Sequence, residues 1–264
     1  MLVCRDIVLN KGEKKILKGV SATLEPGCVT ALVGKNGAGK TSLLRVLSGE
    51  ETGYHQGDVF VSDKNINNIS SLGLSLRRAV LPQHSPLSFA LSVYDVVAMG
   101  RAPHHKRGDF ELSVERVVAQ TLEMVGLSGF ELRGYEALSG GERQRVHLAR
   151  VLCQLAPLDD SLQRKWLFLD EPTASQDIGH AHDMLSCVQD LSHRHGLGVC
   201  MIVHDLNFVL RYADEMVVLS QGEVLSQGTT SEILDSELLA QAFGVQAQLI
   251  EHEGERMVFI KGTF

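Results

Sequence analysis

One glycine-rich segment constrains this chain more than any other feature. It reads Gly34-Lys35-Asn36-Gly37-Ala38-Gly39-Lys40-Thr41, follows the apolar run Val29 to Val33, and opens the apolar-periodic segment Leu43 to Leu47. Glycine permits a tight turn that aims several backbone N–H groups inward, and the N-terminus of a following helix adds positive partial charge. The order of strand, glycine loop and helix therefore predicts a loop that binds phosphate groups.

The side chains of this loop have separate expected tasks. Lys40 supplies a full charge for the β- and γ-phosphates of a nucleotide, and the hydroxyl of Thr41 is a hard oxygen suited to Mg²⁺. The expected nucleotide contacts come from Gly34, Asn36, Gly37, Ala38, Gly39, Lys40, Thr41 and Ser42.

Two adjacent carboxylates follow a second apolar run. Asp170 and Glu171 come directly after Trp166 to Leu169, at the carboxyl end of a predicted buried strand. That end of a strand is the edge of an open α/β sheet where ligands bind, and adjacent residues there point in different directions. We therefore expect Asp170 to hold the Mg²⁺ shell and Glu171 to orient and deprotonate an attacking water.

A second small-residue turn opens another predicted helix. Ser139, Gly140 and Gly141 precede the helical segment Glu142 to Leu155 and form a second potential anion site. Two phosphate cradles with one carboxylate pair make sense if the second cradle serves the nucleotide of another copy.

The order of the elements predicts an α/β fold. Alternating strands and helices from Trp166 to Leu219 favour a mainly parallel sheet, the core of a RecA-like P-loop NTPase. Strand spacing over Leu2 to Leu9 and Val20 to Leu24 predicts an antiparallel β subdomain beside it. Helical patterns replace strands further on, so we expect an inserted helical subdomain over 84–155 within one nucleotide-binding domain of 1–264.

Composition excludes several classes of protein. The 264 residues are 44% hydrophobic and 22% charged, values typical of a globular protein, and no apolar run reaches the length of a membrane span. A net charge of −7 disfavours a nucleic-acid partner. Five cysteines without a C-x-x-C pair indicate reduced core residues in the cytosol. His104 to Arg107 is interpreted as a solvated basic loop rather than a metal site.

These motifs together resemble the ATP-binding-cassette (ABC) family of ATPases over nearly the whole chain. Beside the phosphate loop and the acidic pair, that family has a glutamine loop, a signature, a further loop and a switch histidine. The matching positions, in the family's order, are Gln83, Leu138 to Gln144, Ala174 to Asp177, and His204. Two departures are the lack of an adenine-stacking aromatic near Lys11 and of the usual leucine before Asp177.

The resemblance implies ATP and Mg²⁺ as cofactors and a head-to-tail homodimer. In it, Ser139, Gly140 and Gly141 of one copy close over the ATP held by the other, with Asp177 also at the nucleotide. His204 would contact the γ-phosphate and the attacking water, and Gln83 would sense Mg²⁺ and relay its state to a partner.

Ser92 to Pro103 resembles bacterial importers of large iron- or cobalt-containing ligands. The extra loop between Leu155 and Trp166 is most similar to haem importers. This implies an ATPase that powers haem uptake from the cytoplasmic face of the bacterial inner membrane. Its partners would be an integral-membrane permease dimer and, indirectly, a periplasmic substrate-binding protein. Import of a ferric siderophore or cobalamin is an alternative. So are an ABC ATPase acting on nucleic acid or ribosomes and a P-loop kinase, although the signature segment counts against the kinase.

Overall fold

Six strands form the central sheet of this protein, for which a computed structural model describes residues 1–83, 87, 90–107, 113–158, 164–174 and 176–263. Five of the strands are parallel, and the last is antiparallel to its neighbour. Across the sheet they run Arg78–Leu81 (β6), Trp166–Asp170 (β7), Gly198–Ile202 (β8), Val29–Val33 (β3), Glu215–Ser220 (β9) and Glu223–Thr229 (β10). The predicted parallel core is confirmed.

A four-stranded antiparallel sheet lies beside this core, as predicted. In sheet order its strands are Lys14–Leu24 (β2), Leu2–Lys11 (β1), Gln56–Val61 (β4) and Lys64–Asn65 (β5). The second strand begins at Lys14, earlier than the predicted Val20. Its first half carries exposed lysines, which hide the strand pattern, and is held by backbone pairing to β1.

Ten helices and a terminal hairpin complete the described chain. The helices are Lys40–Ser48 (α1), Ser71–Ser75 (α2), Val93–Ala98 (α3), Ala102–Arg107 (α4), Val114–Met124 (α5), Gly140–Leu155 (α6), Ile178–His195 (α7), Leu206–Tyr212 (α8), Thr230–Ile233 (α9) and Ser236–Phe243 (α10). Short 3₁₀ turns cover 66–68, 99–101 and 135–137, and the hairpin is Val245–His252 (β11) with Glu255–Thr263 (β12). In the described part of the chain, no helix has the length and apolar character needed to cross a bilayer.

Every regular element described between β6 and β7 is helical. The boundaries 84–155 of a helical subdomain stay a prediction. From sequence alone we expect one small helix near Ser231 to Ala242. The structure has two, α9 and α10, because Asp235 caps a new helix by accepting a hydrogen bond from Leu238 N (2.7 Å). Residues 108–112, 159–163 and 175, within segments that the sequence analysis uses, lie outside the described residues.

Two hydrophobic clusters cover the two faces of the central sheet. Alternate residues of a strand point to opposite faces. Val29, Ala31 and Val33 accordingly pack with the helices α3 and α5 to α8, whereas Leu32 packs with α1 and the antiparallel sheet. The sheet is therefore buried on both sides, which explains why its strands read as continuous apolar runs.

The end of α6 is held by three buried side chains. The last carbonyls of a helix have no partner within the helix, and cationic side chains can hydrogen-bond them. The bonds are Arg101 Nη1 to the carbonyls of Cys153 (3.1 Å) and Ala156 (2.9 Å), His104 Nε2 to Gln154 (2.8 Å), and Lys165 Nζ to Leu155 (2.7 Å) and Pro157.

The loop predicted at His104 to Arg107 is wrong, although the last three residues are exposed as expected. These residues belong to α4, and His104 is only 6% exposed. The sequence shows two adjacent histidines, but it does not show that the first of them hydrogen-bonds the backbone carbonyl of Gln154.

We predict that Gly100→Ala destabilises the fold. A Cβ at Gly100 would lie 2.2 Å from the Arg150 carbonyl oxygen and 2.9 Å from Gln154 N, both in the backbone of α6, so the turn beside Arg101 must move. The free energy of unfolding, measured by urea denaturation, should fall by about 1–3 kcal/mol. Gly134→Ala is the control, because Gly134 has φ −68° and no heavy atom within 4 Å of an added Cβ. Equal stability of the two variants would contradict the prediction.

Candidate nucleotide site

The predicted catalytic residues meet at one edge of the central sheet. Gly34 follows β3, Gln83 follows β6, Asp170 ends β7 and His204 follows β8. The strands β3, β8, β7 and β6 are consecutive parallel neighbours. Their carboxyl ends therefore open toward the same edge, where ligands bind in folds of this type.

The phosphate loop surrounds a buried ammonium group. Lys40 is 6% exposed, and its Nζ donates to the carbonyls of Gly34 (2.8 Å) and Lys35 (3.1 Å) within its own loop. Burial lowers the pKa of Lys40, and the charges of Glu171 and Asp170 act in the opposite direction. The ammonium thus lies where a phosphate could replace the two carbonyls as its partner.

Backbone geometry explains two of the glycines in the loop. Gly34 has φ +143°, and a Cβ there would lie 2.2 Å from the Leu219 carbonyl oxygen. Gly39 is the N-cap of α1 at φ 106° and offers no side-chain oxygen to the first turn. The N–H groups at the start of α1 therefore have no side-chain cap and point toward the loop, the arrangement of an anion site. Asn36 is exposed in the turn, and Ser42 is half-buried on α1.

Thr41 and Asp170 form the oxygen-rich side of the site. Thr41 Oγ1 donates to Asp170 Oδ1 at 3.5 Å. Burial raises the pKa of Asp170, and the neighbouring charge of Glu171 adds to this effect. A hydroxyl and a half-buried carboxylate are hard oxygen donors of the kind that Mg²⁺ prefers.

Both oxygens of Glu171 are engaged. Oε2 accepts from Gln83 Nε2 at 2.6 Å, and Oε1 lies 2.7 Å from His204 Nε2. Because an ionised carboxylate only accepts hydrogen bonds, Nε2 of His204 carries the proton. The amide of Gln83 thus meets the predicted base rather than Asp170, and its expected part in holding a metal stays a prediction.

The backbone of Glu171 is strained. Its φ is +52°, in the left-handed region that costs a non-glycine residue about 1–2 kcal/mol. The strain sits at the first residue after β7, whose carboxylate contacts Gln83 and His204. Strain of this kind persists where the surrounding contacts hold it in place, and it often marks a functional residue.

The signature turn is a separate feature on α6. Ser139 Oγ accepts from Glu142 N (3.3 Å), and Glu142 Oε2 accepts from Ser139 N (2.8 Å), which is a capping box. The Ser139 backbone N–H and hydroxyl both hydrogen-bond the Glu142 carboxylate, and these bonds lower the pKa of Glu142. Within the described residues, no hydrogen bond joins Ser139, Gly140 or Gly141 to the phosphate loop of the same chain.

Asp177 lies on the loop that precedes α7. Its Oδ1 accepts from His180 N (3.0 Å), and its Oδ2 pairs with His180 Nδ1 at 2.5 Å. These two hydrogen bonds from His180 hold the pKa of Asp177 below its ordinary value.

Sequence reasoning missed His180 and did not predict the hydrogen bonds of these loops, although Gln144 and Gln176 belong to the predicted motifs. His180, Gln144 and Gln176 all hydrogen-bond within them. The Ser-x-x-Glu spacing of a capping box and the Asp-x-x-His spacing at a helix start were readable signals for Glu142 and His180.

The phosphate loop between β3 and α1, the carboxylate pair at the end of β7 and the parallel strand order define a P-loop nucleoside triphosphatase. Within that class, the chain belongs to the ABC transporter family, which matches residues 17–174. It is an ATP-binding subunit of the kind that hydrolyses ATP to power transport across a membrane.

Similar proteins cover almost the full chain. One, described as the hemin import ATP-binding protein HmuV of Bordetella pertussis (strain Tohama I), is 38% identical over 251 residues, 95% of each chain. Its namesake in Bordetella avium (strain 197N) is 40% identical over 256 residues, 96% of each chain. A solved structure, described as an inward-facing metal-chelate type ABC transporter, superposes with a TM-score of 0.81 at 25% identity and covers 100% of this chain and 97% of its own.

We predict that Asp170→Asn raises the thermal stability of the protein without nucleotide. At neutral pH the wild-type fold keeps an ionised carboxylate partly buried beside Glu171, and a raised folded-state pKa means that this charge destabilises the fold. Calorimetry in chelator should show a midpoint about 1–4 °C higher for the variant.

The gain should disappear as the pH falls below the ordinary range of aspartate, since protonation then neutralises the wild type as well. Asp190→Asn is the control, because Asp190 is exposed and its one described salt bridge is with Arg194. A lower midpoint for Asp170→Asn would contradict this account of the site.

Proposed function

We propose that this protein is the ATP-hydrolysing subunit of an importer for haem, working through a permease in the bacterial inner membrane. Two relatives at 38% and 40% identity are described as hemin import ATP-binding proteins, and the structural neighbour is described as of metal-chelate type. A ferric siderophore or cobalamin is the alternative cargo within that wider class.

The observation that carries the chemistry is the position of Glu171. Its carboxylate lies between Gln83 and His204, next to the oxygen donors of Thr41 and Asp170. A carboxylate held on both sides is ready to orient a water and accept its proton, which is the task of a general base in ATP hydrolysis. His204 carries its proton on Nε2 and would stabilise a developing negative charge by turning this N–H from Glu171 toward it.

Mg²⁺ fits the residues present. Thr41 and Asp170 would hold the ion. Burial first, and then the charge of Glu171, raises the pKa of Asp170, and a bound cation would offset both effects. When bound, Mg²⁺ would supply positive charge that offsets the negative charge developing on the phosphates during transfer. Lys40 would exchange the carbonyls of Gly34 and Lys35 for the β- and γ-phosphates.

Dimerisation would complete the site. The signature turn of Ser139, Gly140 and Gly141 makes no described hydrogen bond to its own phosphate loop. The N-terminus of α6 would offer it partial positive charge for an anion. A second copy placed head to tail would bring this turn over the bound ATP. Closure and reopening of the dimer would then drive a permease dimer, supplied on the periplasmic side by a substrate-binding protein.

We predict that Glu171→Gln abolishes turnover while keeping the site intact. Glutamine has the same shape and keeps both contacts once the Gln83 amide turns its oxygen toward the new NH₂ group, but it cannot take a proton from water. Steady-state phosphate release should fall by about 10²- to 10⁴-fold, whereas the affinity for ATP stays within a factor of two to three.

Lys40→Ala is the matched contrast, because it should weaken ATP binding itself. Normal hydrolysis by Glu171→Gln would remove Glu171 as the base, and an unchanged ATP affinity of Lys40→Ala would remove Lys40 from the phosphate site.

The transport assignment predicts a specific partner. Tagged Glu171→Gln protein with Mg-ATP, recovered from membranes of its source cells, should bring down a multi-span permease that mass spectrometry identifies. The wild-type complex with this permease and its binding protein in liposomes should then hydrolyse ATP faster when haem is added.

Stimulation by a ferric siderophore or cobalamin instead of haem would show that the assigned cargo is wrong but would leave the proposed mechanism standing. Recovery of ribosomal or nucleic-acid factors without a permease would overturn the transport function.

A further inference from the structure

Two segments that the proposed dimer would present to a partner's nucleotide contact each other within one chain. They are the signature turn at the start of α6 and the loop that leads from Glu171 to α7. The carbonyl of Pro172 in that loop accepts from Gln144 Nε2 of α6 (3.4 Å) and from Gln176 Nε2 (2.9 Å). Gln176 also lies 3.9 Å from the sulfur of Met184 on α7. The residue that stands where the family commonly has leucine therefore closes the loop on itself.

A second contact joins the segments through His180. A Cβ built on Gly141 would lie 2.8 Å from His180 Cδ2 and 2.9 Å from Cγ, so the imidazole ring rests against the signature glycine. The Nδ1 atom of the same ring hydrogen-bonds Asp177 Oδ2 (2.5 Å), and the backbone N–H of His180 hydrogen-bonds Asp177 Oδ1 (3.0 Å). One side chain thus touches both the signature turn and the carboxylate of the following loop.

The exposure of this pair argues against a role in stability alone. The side chains of His180 and Asp177 are 41% and 67% exposed. Ion pairs and hydrogen bonds at such exposed positions contribute little to the free energy of unfolding. What the contact does fix is the position of Asp177 relative to Gly141 on the surface that a second copy would meet.

We propose that His180 is a positioning residue that holds the Asp177 loop against the signature turn, so that both reach the partner's nucleotide as one unit. This inference rests on the head-to-tail dimer of the proposed function. Loss of the ring frees Asp177 to adopt other rotamers and lets the loop move independently of Gly141. The dimer then has to order two segments instead of one when it closes, which weakens closure.

The test uses ATP-driven dimerisation of the Glu171→Gln protein, measured by sedimentation with Mg-ATP. Adding His180→Ala should raise the dimer dissociation constant by about 5- to 20-fold, a coupling of ordinary size between linked sites. ATP affinity of the monomer should not change, because the ring makes no described contact with the phosphate loop. In the protein with intact Glu171, kcat should fall while KM for ATP stays the same.

Two further variants separate the parts of the contact. His180→Asn keeps an N–H donor near the position of Nδ1 and should recover part of the dimer affinity by bonding Asp177. Arg194→Ala is the control on the same helix, because Arg194 is 74% exposed and pairs with Asp190. It should leave dimerisation unchanged. If His180→Ala does not fold, the comparison of His180→Asn with Arg194→Ala decides the question.

The outcomes keep the two proposals apart. If the Glu171→Gln parent does not dimerise with Mg-ATP, the dimer of the proposed function is wrong and the role of His180 falls with it. If the parent dimerises and the His180 variants dimerise equally well, only the positioning role is wrong. A double-mutant cycle gives an independent check: Gly141→Ala displaces the ring, so its effect on dimerisation should be smaller when residue 180 is already alanine. If the effects of the two substitutions on dimerisation were additive, the positioning role of His180 would be wrong.

Discussion

The parallel pairing of four adjacent strands is the constraint on which the site depends. Asp170 of β7 pairs with Ile202 of β8, so Glu171 and His204 leave the sheet at nearly the same level. Their 2.7 Å contact follows from this register. A slip of one residue would move one side chain by about 3.3 Å and turn it to the other face, beyond hydrogen-bond distance. The buried clusters on both faces of the sheet oppose such a slip, and the chemistry therefore depends on the core.

Electrostatics at the same edge are arranged for a ligand rather than for stability. A lysine is buried against carbonyls, two carboxylates are adjacent, and the second lies on strained backbone. Each of these features costs free energy in the isolated chain. A bound phosphate would offset the cost of the buried lysine, and a divalent cation would offset the cost of the adjacent carboxylates. Proteins commonly give up stability at functional sites in this way, and a bound nucleotide would restore part of it.

Much of this arrangement could be predicted from the sequence. The phosphate loop, the acidic strand end and the alternation of strands and helices carry local signals, because glycines, paired carboxylates and apolar runs act within a few residues. The start of β2 at Lys14 and the break between α9 and α10 were missed, since pairing to β1 and a cap at Asp235 decided them.

Contacts between distant segments left no such signal. His104 bonds the Gln154 carbonyl about 50 positions away, and His180 lies against Gly141 about 40 positions away. The residues next to each histidine in the sequence give no sign of which residue it contacts. The contact of Gln83 with Glu171 likewise depends on the sheet order. Only the family resemblance indicated that Gln83 belongs to the site at all.

The three buried side chains that hydrogen-bond the end of α6 limit how the sequence of this region can evolve. Arg101, His104 and Lys165 all bind backbone carbonyls, so the side chains at 153–157 do not take part in these hydrogen bonds. Apart from Gln154, whose side chain itself donates to the carbonyls of Ser75 and Arg78, drift at the accepting positions is limited by packing, whereas a donor cannot change without leaving carbonyls unpaired. An insertion or deletion in the last turn of α6 would shift every acceptor at once. Natural variants should therefore differ in side chains there while keeping the spacing between α4, α6 and β7.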